Sequence, residues 1–278
     1  MKISLARWCH KYFGPEWDLE THCQVAKEVG ADGIELVPPE QWDTLAKHGL
    51  SCPLALVYYG EKGPDPFTIG WNNPVHHEGV ARVTKQLIKA AGESGGLCKS
   101  VIAFSGMKVG QQSYEHSQRN CCQGLFSTGV IKAAEEAGIN LSFEVLNDKV
   151  NLPMCGHPGY DANSLKYALD LIHGVQSERL GLLYDVYHFQ ILRGNICDTL
   201  RTTAPFINHI HVAGLGGAVP RSEMNVAPQE LDWRGIGQVI RETFPDDAWV
   251  GIEYIPTKGR DYIADLKAAV ALLRGTAA

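Results

Sequence analysis

Long apolar runs are missing from this sequence of 278 residues. No segment approaches the roughly 20 consecutive apolar residues that a bilayer-spanning helix needs, and the opening stretch MKISLARWCHKYFGPEW lacks the uninterrupted apolar core of a secretion signal. Lysine and arginine form no dense block, and the formal charge is −6. These absences argue against membrane and nucleic-acid partners and predict a cytoplasmic protein.

Cysteine pairs at metal-binding or redox spacing are missing as well. The eight cysteines include no C-x-x-C motif and none of the clustered spacing of a zinc site. In a cytoplasmic protein, such residues are mostly small buried hydrophobic side chains or free thiols. We therefore expect no disulfide and no metal bound by cysteine.

The chain also lacks interdomain linkers and the glycine fingerprint of a dinucleotide site. It contains β-rich runs: ISLA (3–6), GIELV (33–37), LALVYY (54–59), SVIAF (100–104), NLSFEV (140–145), GLLYDVY (181–187), NHIHVA (208–213) and WVGIEYI (249–255). Segments with apolar residues at helical spacing alternate with them, over 19–29, 77–91, 124–137, 164–174, 233–243 and 262–273. Eight strands alternating with helices predict a parallel sheet closed into a single (β/α)8 TIM barrel over residues 1–278.

Polar residues occur near the carboxyl ends of the last four strands, where barrels of this kind build their active sites. They are Glu144 in LSFEVLN, Asp185 in LLYDVYH, His211 in HIHVAG and Glu253 in VGIEYIP. Side chains alternate along a strand, so each shares a face with the residue two positions earlier. Because most of these neighbours are small or polar, we expect that face to point into the barrel.

Three carboxylates brought together would repel one another unless a cation held them. Three oxygen ligands and one imidazole favour a divalent ion, Mn²⁺ or Mg²⁺ first, with Co²⁺ or Zn²⁺ as alternatives. A single Asp or His at a strand end is more often a helix cap or a satisfied polar group. Four in succession favour a metal site. His188, three residues after Asp185, reaches it only if the chain has already turned, so geometry leaves substrate contact and loop packing equally open.

These residues resemble the xylose isomerase-like (AP endonuclease family 2-like) TIM barrels, and within them the hydroxypyruvate isomerase branch. The resemblance is carried by FEVLN (143–147), YDVYHFQILRGN (184–195), HIHVAG (209–214) and WVGIEY (249–254), with weaker support from GIELVPPEQW (33–42), GWNNP (70–74) and IAFSG (102–106). It implies a metal held by Glu144, Asp185, His211 and Glu253, with the two glutamates as acid and base. It also implies that His188 contacts a substrate oxygen.

Two features depart from the hydroxypyruvate isomerase pattern. Its ligand on the seventh strand is a glutamine, whereas this chain has His211, as the related ketose 3-epimerases do. In the following loop, GLGGAVPRSEMNVAPQELDW, Arg221 and Glu223 match the expected Gly-Arg-His-Glu segment only loosely, and Glu230 falls where a later Gly-Glu pair would. The substrate is therefore left open.

The reaction predicted for this site is proton transfer between adjacent carbons of a small hydroxycarbonyl or sugar substrate, through an enediolate. Cations that could meet a substrate carboxylate are Arg7, Lys108, Lys149, Arg221 and Lys258, and aromatic residues that could wall the pocket are Trp8, Tyr12, Trp71 and Tyr254. A single cation of this kind is more often a solvated surface charge, and ordinary packing explains the aromatic residues equally well. From these sets and the resemblance, we predict substrate contacts from His188, Arg221, Lys149 and Trp8.

Other functions share parts of the pattern. Epimerisation at C3 of a ketose, or β-elimination from a 3-oxo sugar, begins with the same proton abstraction. A phosphodiesterase of the endonuclease branch needs several zinc ions and a basic groove, which the charge of −6 disfavours. A barrel that has lost its catalytic activity would be a binding or structural protein and would bind no metal. The metal-dependent isomerase is the leading prediction. A homo-oligomer is left open, as is the role of the loop over 60–76 as a lid or a subunit contact.

Overall fold

Parallel strands form the centre of the fold in the computed structural model, which describes residues 1–60, 63–217 and 219–276. The strands are β1 (Lys2–Ala6), β2 (Gly33–Glu35), β3 (Leu54–Ala55), β4 (Ser100–Ala103), β5 (Asn140–Glu144), β6 (Leu180–Asp185), β7 (Ile207–Val212), β8 (Gly214–Gly216), β9 (Val219–Ser222) and β10 (Trp249–Ile252). Residues 61, 62 and 218, which belong to the two loops named above, lie outside the described residues.

The large sheet has eight strands in the order β2-β1-β10-β7-β6-β5-β4-β3. Its two edge strands also meet, because the N–H of Ile34 donates to the carbonyl of Ser51 (2.9 Å) and the N–H of Leu36 to that of Leu54 (2.8 Å). The sheet therefore curls into a nearly closed barrel, and the predicted TIM barrel is confirmed. Strands β8 and β9 form a separate antiparallel hairpin directly after β7.

Helices surround the barrel and alternate with its strands. They are α1 (Arg7–Tyr12), α2 (Leu19–Val29), α3 (Trp42–Lys47), α4 (His77–Glu93), α5 (Tyr114–Ser127), α6 (Val130–Ala137), α7 (Leu165–Val175), α8 (Val186–Leu192), α9 (Ile196–Thr203), α10 (Trp233–Thr243) and α11 (Tyr262–Arg274). The predicted bounds of α2 and α10 are confirmed. The single helix predicted over 124–137 is wrong, because Gly129 adopts a left-handed conformation (φ 73°) and separates α5 from α6.

The points at which the strands end determine where the candidate site residues lie. The run predicted over 181–187 stops at Asp185, whose Oδ1 accepts hydrogen bonds from the N–H groups of Tyr187 (2.8 Å) and His188 (3.2 Å) and so caps α8. The chain therefore turns into a helix before His188. At β10 the strand ends one residue before Glu253, although the N–H of Glu253 still donates to the carbonyl of Val212 (2.9 Å).

The apolar core lies between the barrel and its helices. Outward positions such as Ile3, Leu141 and Ile210 are fully or almost fully buried there, whereas inward positions are often small or polar, as at Ser4 and Ser142. Among the described helices, none is long and apolar enough to cross a membrane. All eight cysteines are free thiols.

Candidate metal centre

The four residues predicted as metal ligands meet at the carboxyl end of the barrel. Glu144, Asp185, His211 and Glu253 each offer a ligand atom, and these atoms all lie within 4.8 Å of one another. All four side chains are buried. The strand alternation read from the sequence thus brings them to one point, as expected, and their role as ligands stays a prediction.

His211 stands at the centre of this cluster. Its Nδ1 lies 2.8 Å from Oε2 of Glu253 and 3.7 Å from Oε1 of Glu144. Its Nε2 lies 2.7 Å from Oε1 of Glu35 on the opposite side of the ring. Neither nitrogen makes a well-aligned hydrogen bond to a described residue. A buried imidazole nitrogen that faces carboxylates without a hydrogen bond is the arrangement that a bound cation resolves.

Glu35 supports His211 from behind, and the sequence analysis assigned it no role. Its Oε2 accepts from Oγ of Ser4 (2.7 Å) and lies 2.9 Å from Nε2 of His209. Burial alone would raise the pKa of Glu35, but the fields of His209 and His211 outweigh it and hold the pKa well below its usual range. A Cβ at Gly251 would lie 2.1 Å from Oε1 of Glu35, so only glycine leaves room for this carboxylate.

Glu253 is held by several donors. Trp8 Nε1 donates to its Oε1 (2.6 Å), and Arg221 Nη2 contacts its Oε2 as well as Oδ2 of Asp185 (2.7 Å). Burial would raise the pKa of Glu253, but Arg221 and His211 lower it to about 2. The β8–β9 hairpin, which carries Arg221, thereby brings one positive charge to two of the carboxylates.

Glu144 has a different environment. Its carboxylate has His211 as its ion-pair partner, at 3.7 Å. Burial, together with the negative charges of Glu253 and Asp185, raises the pKa of Glu144 to about 7 against the opposing effect of His211. Burial likewise raises the pKa of Asp185, with Arg221 opposing it.

The donor set fits a divalent cation. Three carboxylates and Arg221 leave a charge of −2 at the cluster, which such an ion would neutralise. Oxygen donors with one imidazole suit Mn²⁺ and Mg²⁺, and Co²⁺ or Zn²⁺ remain alternatives.

His188 reaches the cluster because α8 begins at once after Asp185. It is fully buried, and its Nε2 lies 3.7 Å from Oδ2 of Asp185 without a hydrogen-bond partner among the described residues. Lys149 does not reach the cluster. It is largely exposed, pairs with Asp148 at 2.8 Å and does not line the pocket.

The other cations considered from the sequence also lie elsewhere. Arg7 Nη1 donates to the carbonyl of Trp17 (2.8 Å), Lys108 pairs with Asp148 (3.6 Å), and Lys258 does not line the pocket. Among the described residues that do line it, Arg221 is the only lysine or arginine.

A cavity of about 400 Å³ opens above the cluster. Its polar lining includes Glu144, Glu253, Arg221 and His157, and its walls are mainly apolar, including Trp8, Tyr12, Tyr58, Phe67 and Phe104. Trp71 and Tyr254 are buried outside it. A larger groove of about 720 Å³ runs along α4, away from the cluster, so we assign the candidate site to the smaller cavity.

The loop over 60–76 contributes Asp65, Pro66 and Phe67 to this cavity. Its far end is anchored, because the N–H of Trp71 donates to the carbonyl of Phe104 (3.2 Å) and the N–H of Asn72 to that of Ser105 (2.9 Å). The loop therefore forms part of the wall, and its role as a lid or subunit contact stays a prediction.

The fold and the cluster together define a TIM barrel whose candidate site lies at the carboxyl ends of its strands. The chain belongs to the xylose isomerase-like TIM barrel family, whose model matches residues 23–275. The resemblance drawn from the sequence is thereby confirmed.

Two relatives and one solved structure are similar to this chain. A putative hydroxypyruvate isomerase of Drosophila melanogaster is 34% identical over 159 residues, which cover 57% of this chain and 55% of the relative. A D-psicose 3-epimerase of Enterocloster bolteae is 28% identical over 40% of this chain and 32% of its own. The structure of a 3-keto-D-glucoside 4-epimerase from E. coli superposes with a TM-score of 0.74 and 17% identity, over 99% of both chains. The aligned part thus spans about half of the first relative.

Proposed function

We propose that this protein is a metal-dependent isomerase that moves a proton between adjacent carbons of a small hydroxycarbonyl compound. The substrate would be of the hydroxypyruvate and tartronate semialdehyde type or a related keto-sugar acid. The observation that carries the proposal is the cluster itself, with two glutamates, an aspartate and a histidine within 4.8 Å at the base of a cavity. The similarity to a putative hydroxypyruvate isomerase supports it.

Glu144, Asp185, His211 and Glu253 would hold the cation. When bound, it would polarise the carbonyl and hydroxyl oxygens of the substrate and so stabilise the developing enediolate by several kcal/mol. Glu35 would keep the His211 ring in place from the opposite side.

The surroundings of the two glutamates favour Glu144 as the group that takes the proton. The Glu253 carboxylate is engaged by Trp8, His211 and Arg221. Among the described residues, Glu144 has only His211 as an ion-pair partner, so one of its oxygens would be available to the substrate. Glu253 would then return the proton or move the hydroxyl proton. Because metal binding lowers carboxylate basicity, the oxygen of Glu144 that takes the proton must differ from the one that binds the ion.

Substrate contacts are proposed for His188, Arg221 and Trp8. Trp8 and Arg221 line the cavity, and the Arg221 guanidinium lies 5.5 Å from the centre of the Trp8 ring. His188 presents a buried Nε2 toward the cluster. Lys149 is left out of the proposed site, because it pairs with Asp148 outside the cavity.

A second candidate is a ketose 3-epimerase or a lyase that eliminates from a 3-oxo sugar. A carboxylate substrate needs a cation, and among the described lining residues Arg221 is already paired with two carboxylates. A cavity of about 400 Å³ is also larger than a three-carbon acid requires. Both observations favour a neutral sugar, as does the similarity to a D-psicose 3-epimerase.

Elemental analysis of protein purified without added metal tests the shared part of the proposal. We expect about one divalent ion per chain, and turnover that EDTA abolishes and Mn²⁺ restores. A panel of hydroxypyruvate, 2-oxo-tetronates and ketohexoses in D₂O then separates the candidates, because the exchanged carbon identifies the reaction. Several zinc ions per chain would support the phosphodiesterase, and a chain that binds no metal would contradict the proposal.

A further inference from the structure

Asn147, which follows β5 by three residues, contacts His188 through two separate groups. Its backbone N–H lies 3.1 Å from Nδ1 of His188, and its side-chain Nδ2 lies 2.7 Å from the same atom. Both residues are fully buried. Two donors therefore converge on one ring nitrogen.

The orientation of the Asn147 amide is set by two further contacts. Nδ2 also donates to the carbonyl of Cys155 (2.9 Å), and Oδ1 accepts from the N–H of Val150 (3.1 Å). A flipped amide would place an oxygen against the carbonyl of Cys155 and an NH₂ group against the N–H of Val150. The group that faces His188 is thus the NH₂ donor.

This arrangement fixes the hydrogen on His188. A nitrogen that accepts two hydrogen bonds must carry its lone pair, and a neutral imidazole bears one N–H, so the hydrogen is on Nε2. That Nε2 is buried, lies 3.7 Å from Oδ2 of Asp185 and has no hydrogen-bond partner among the described residues. An unpaired donor therefore faces the cluster, where a substrate oxygen would satisfy it.

We propose that Asn147 is a positioning residue that makes Nδ1 of His188 an acceptor and its Nε2–H a fixed donor to a substrate oxygen. The inference rests on the proposed function, since it concerns the same site. It makes His188 a hydrogen-bond donor to the oxygen of the enediolate and excludes it as a proton carrier, because Nε2 already holds its hydrogen and Nδ1 is occupied. Neutral imidazoles stabilise enediolates in this way elsewhere.

The loop after β5 is built around the same asparagine. The carbonyl of Asn147 accepts from the N–H of His157 (2.8 Å), whose side chain lines the cavity. A Cβ at Gly156 would lie 2.8 Å from Oδ1 of Asn147 and 2.2 Å from the carbonyl oxygen of Val150. Asn147 thus has a structural role in the loop, and the test must separate that role from its effect on His188.

The first measurement is ¹⁵N NMR of the histidine rings in the unmodified protein, with and without added Mg²⁺, which is diamagnetic. We expect His188 in the Nε2–H form, with no hydrogen on Nδ1. A signal from a ring that carries hydrogen on Nδ1 would overturn the inference. The result does not depend on turnover, so it decides the inference even if no substrate is found and the proposed function fails.

The second measurement is the kinetics of Asn147→Asp, which replaces the NH₂ donor with a carboxylate oxygen of the same size. We expect the hydrogen of His188 to shift toward Nδ1 and kcat to fall about 100-fold with KM nearly unchanged, as when a donor to a developing oxyanion is lost. If Asn147→Asp does not fold, the NMR result stands alone and still decides.

Asn140→Asp is the matched control. It adds the same charge at the first residue of β5, at the opposite end of the barrel from Asn147, where the new carboxylate still accepts from Arg179 (3.2 Å in the native pair). We expect its kcat within about twofold of the unmodified protein. An Asn147→Asp variant that is folded and as active as this control would contradict the inference.

Discussion

The two sides of the candidate site use the same residue type in different ways. On the β10 side, the Glu253 carboxylate is in contact with Trp8, His211 and Arg221. On the β5 side, the Glu144 carboxylate has a single ion-pair partner in the described part of the chain, His211, at 3.7 Å. A carboxylate surrounded by donors is suited to bind and orient, whereas one with few partners keeps an oxygen for proton transfer. The position of a residue at the end of a strand thus determines that it lies in the site, whereas the side chains around it determine the role that we propose for it.

Replacing each glutamate in turn tests this comparison most strongly. We expect Glu144→Gln to lower kcat about a thousandfold, because it removes the proposed proton acceptor, while most of the bound metal is retained. Glu253→Gln should instead lower the metal content more than Glu144→Gln does, because the contacts of Glu253 with Trp8 and Arg221 hold its carboxylate in place as a ligand. Metal content and solvent-deuterium exchange into substrate measure the two effects. Equal metal loss in both variants would remove the distinction.

Changing Glu35 extends the comparison to the support behind His211. Glu35→Gln should weaken metal affinity about 10- to 100-fold, because a neutral amide removes the negative charge that lies 2.7 Å from Nε2 of His211 and 2.9 Å from Nε2 of His209. Competition with a chelator measures the affinity. Asp32→Asn is the control, because it makes the same kind of change at the residue directly before β2. Asp32 accepts from the N–H of Ile3 (2.9 Å), away from the cluster. Similar affinities in both variants would contradict the support role.

The β10 side should also respond to acid. Behind β10 lies His10, buried and stacked on Trp17 with ring centres 4.8 Å apart, and burial lowers the pKa of His10 from 6.5 to about 3. Burial lowers the pKa of neighbouring His22 as well. Below pH 6.5 these histidines are protonated in the unfolded chain but not in the folded protein. Their contribution to the free energy of unfolding is therefore fully present above that pH, and it falls by about 1.4 kcal/mol per pH unit for each histidine as the pH drops.

Urea unfolding at pH 7 and pH 5 measures this effect. In His10→Phe, which keeps the stacking on Trp17, the loss of stability between the two pH values should shrink by about 2 kcal/mol. His116→Phe offers a control on α5, where the histidine is exposed. An unchanged pH dependence in His10→Phe would show that this histidine is protonated in the folded protein.

The smallest effect is expected outside the cavity on the β5 side. Lys149→Ala should change kcat/KM by less than about twofold, because its exposed pair with Asp148 contributes little and does not reach the substrate. Initial rates at subsaturating substrate measure it. A loss above tenfold would return Lys149 to the list of substrate contacts.

Much of this arrangement could be predicted from the sequence. Strand alternation was enough to bring Glu144, Asp185, His211 and Glu253 to one face, because a parallel barrel fixes where its strands end. The signal for Glu35 was also present, as a charged residue at an inward position of the strand GIEL. It was passed over because its partners, Ser4 and His209, are 31 and 174 residues away along the chain.

What could not be predicted is the direction of side chains after each strand. Nothing in LLYDVYH shows that Asp185 ends the strand by capping α8 and so turns His188 inward. Likewise, Lys149 and Asn147 both follow β5, yet one lies largely exposed and the other fully buried. These outcomes depend on loop hydrogen bonds that involve distant residues, and periodicity carries no information about them.

Asp185 divides its two oxygens between two tasks, since Oδ1 holds the backbone of the next helix and Oδ2 faces Arg221 and the cluster. Few other side chains could do both, because a replacement must accept from main-chain N–H groups and still carry charge. Two sets of contacts therefore restrict which residue can stand at position 185, whereas the aromatic residues at the rim of the cavity, such as Tyr12 and Phe67, are not restricted in this way. Divergence toward new substrates would then proceed by exchanging residues of the rim while Asp185 stays fixed.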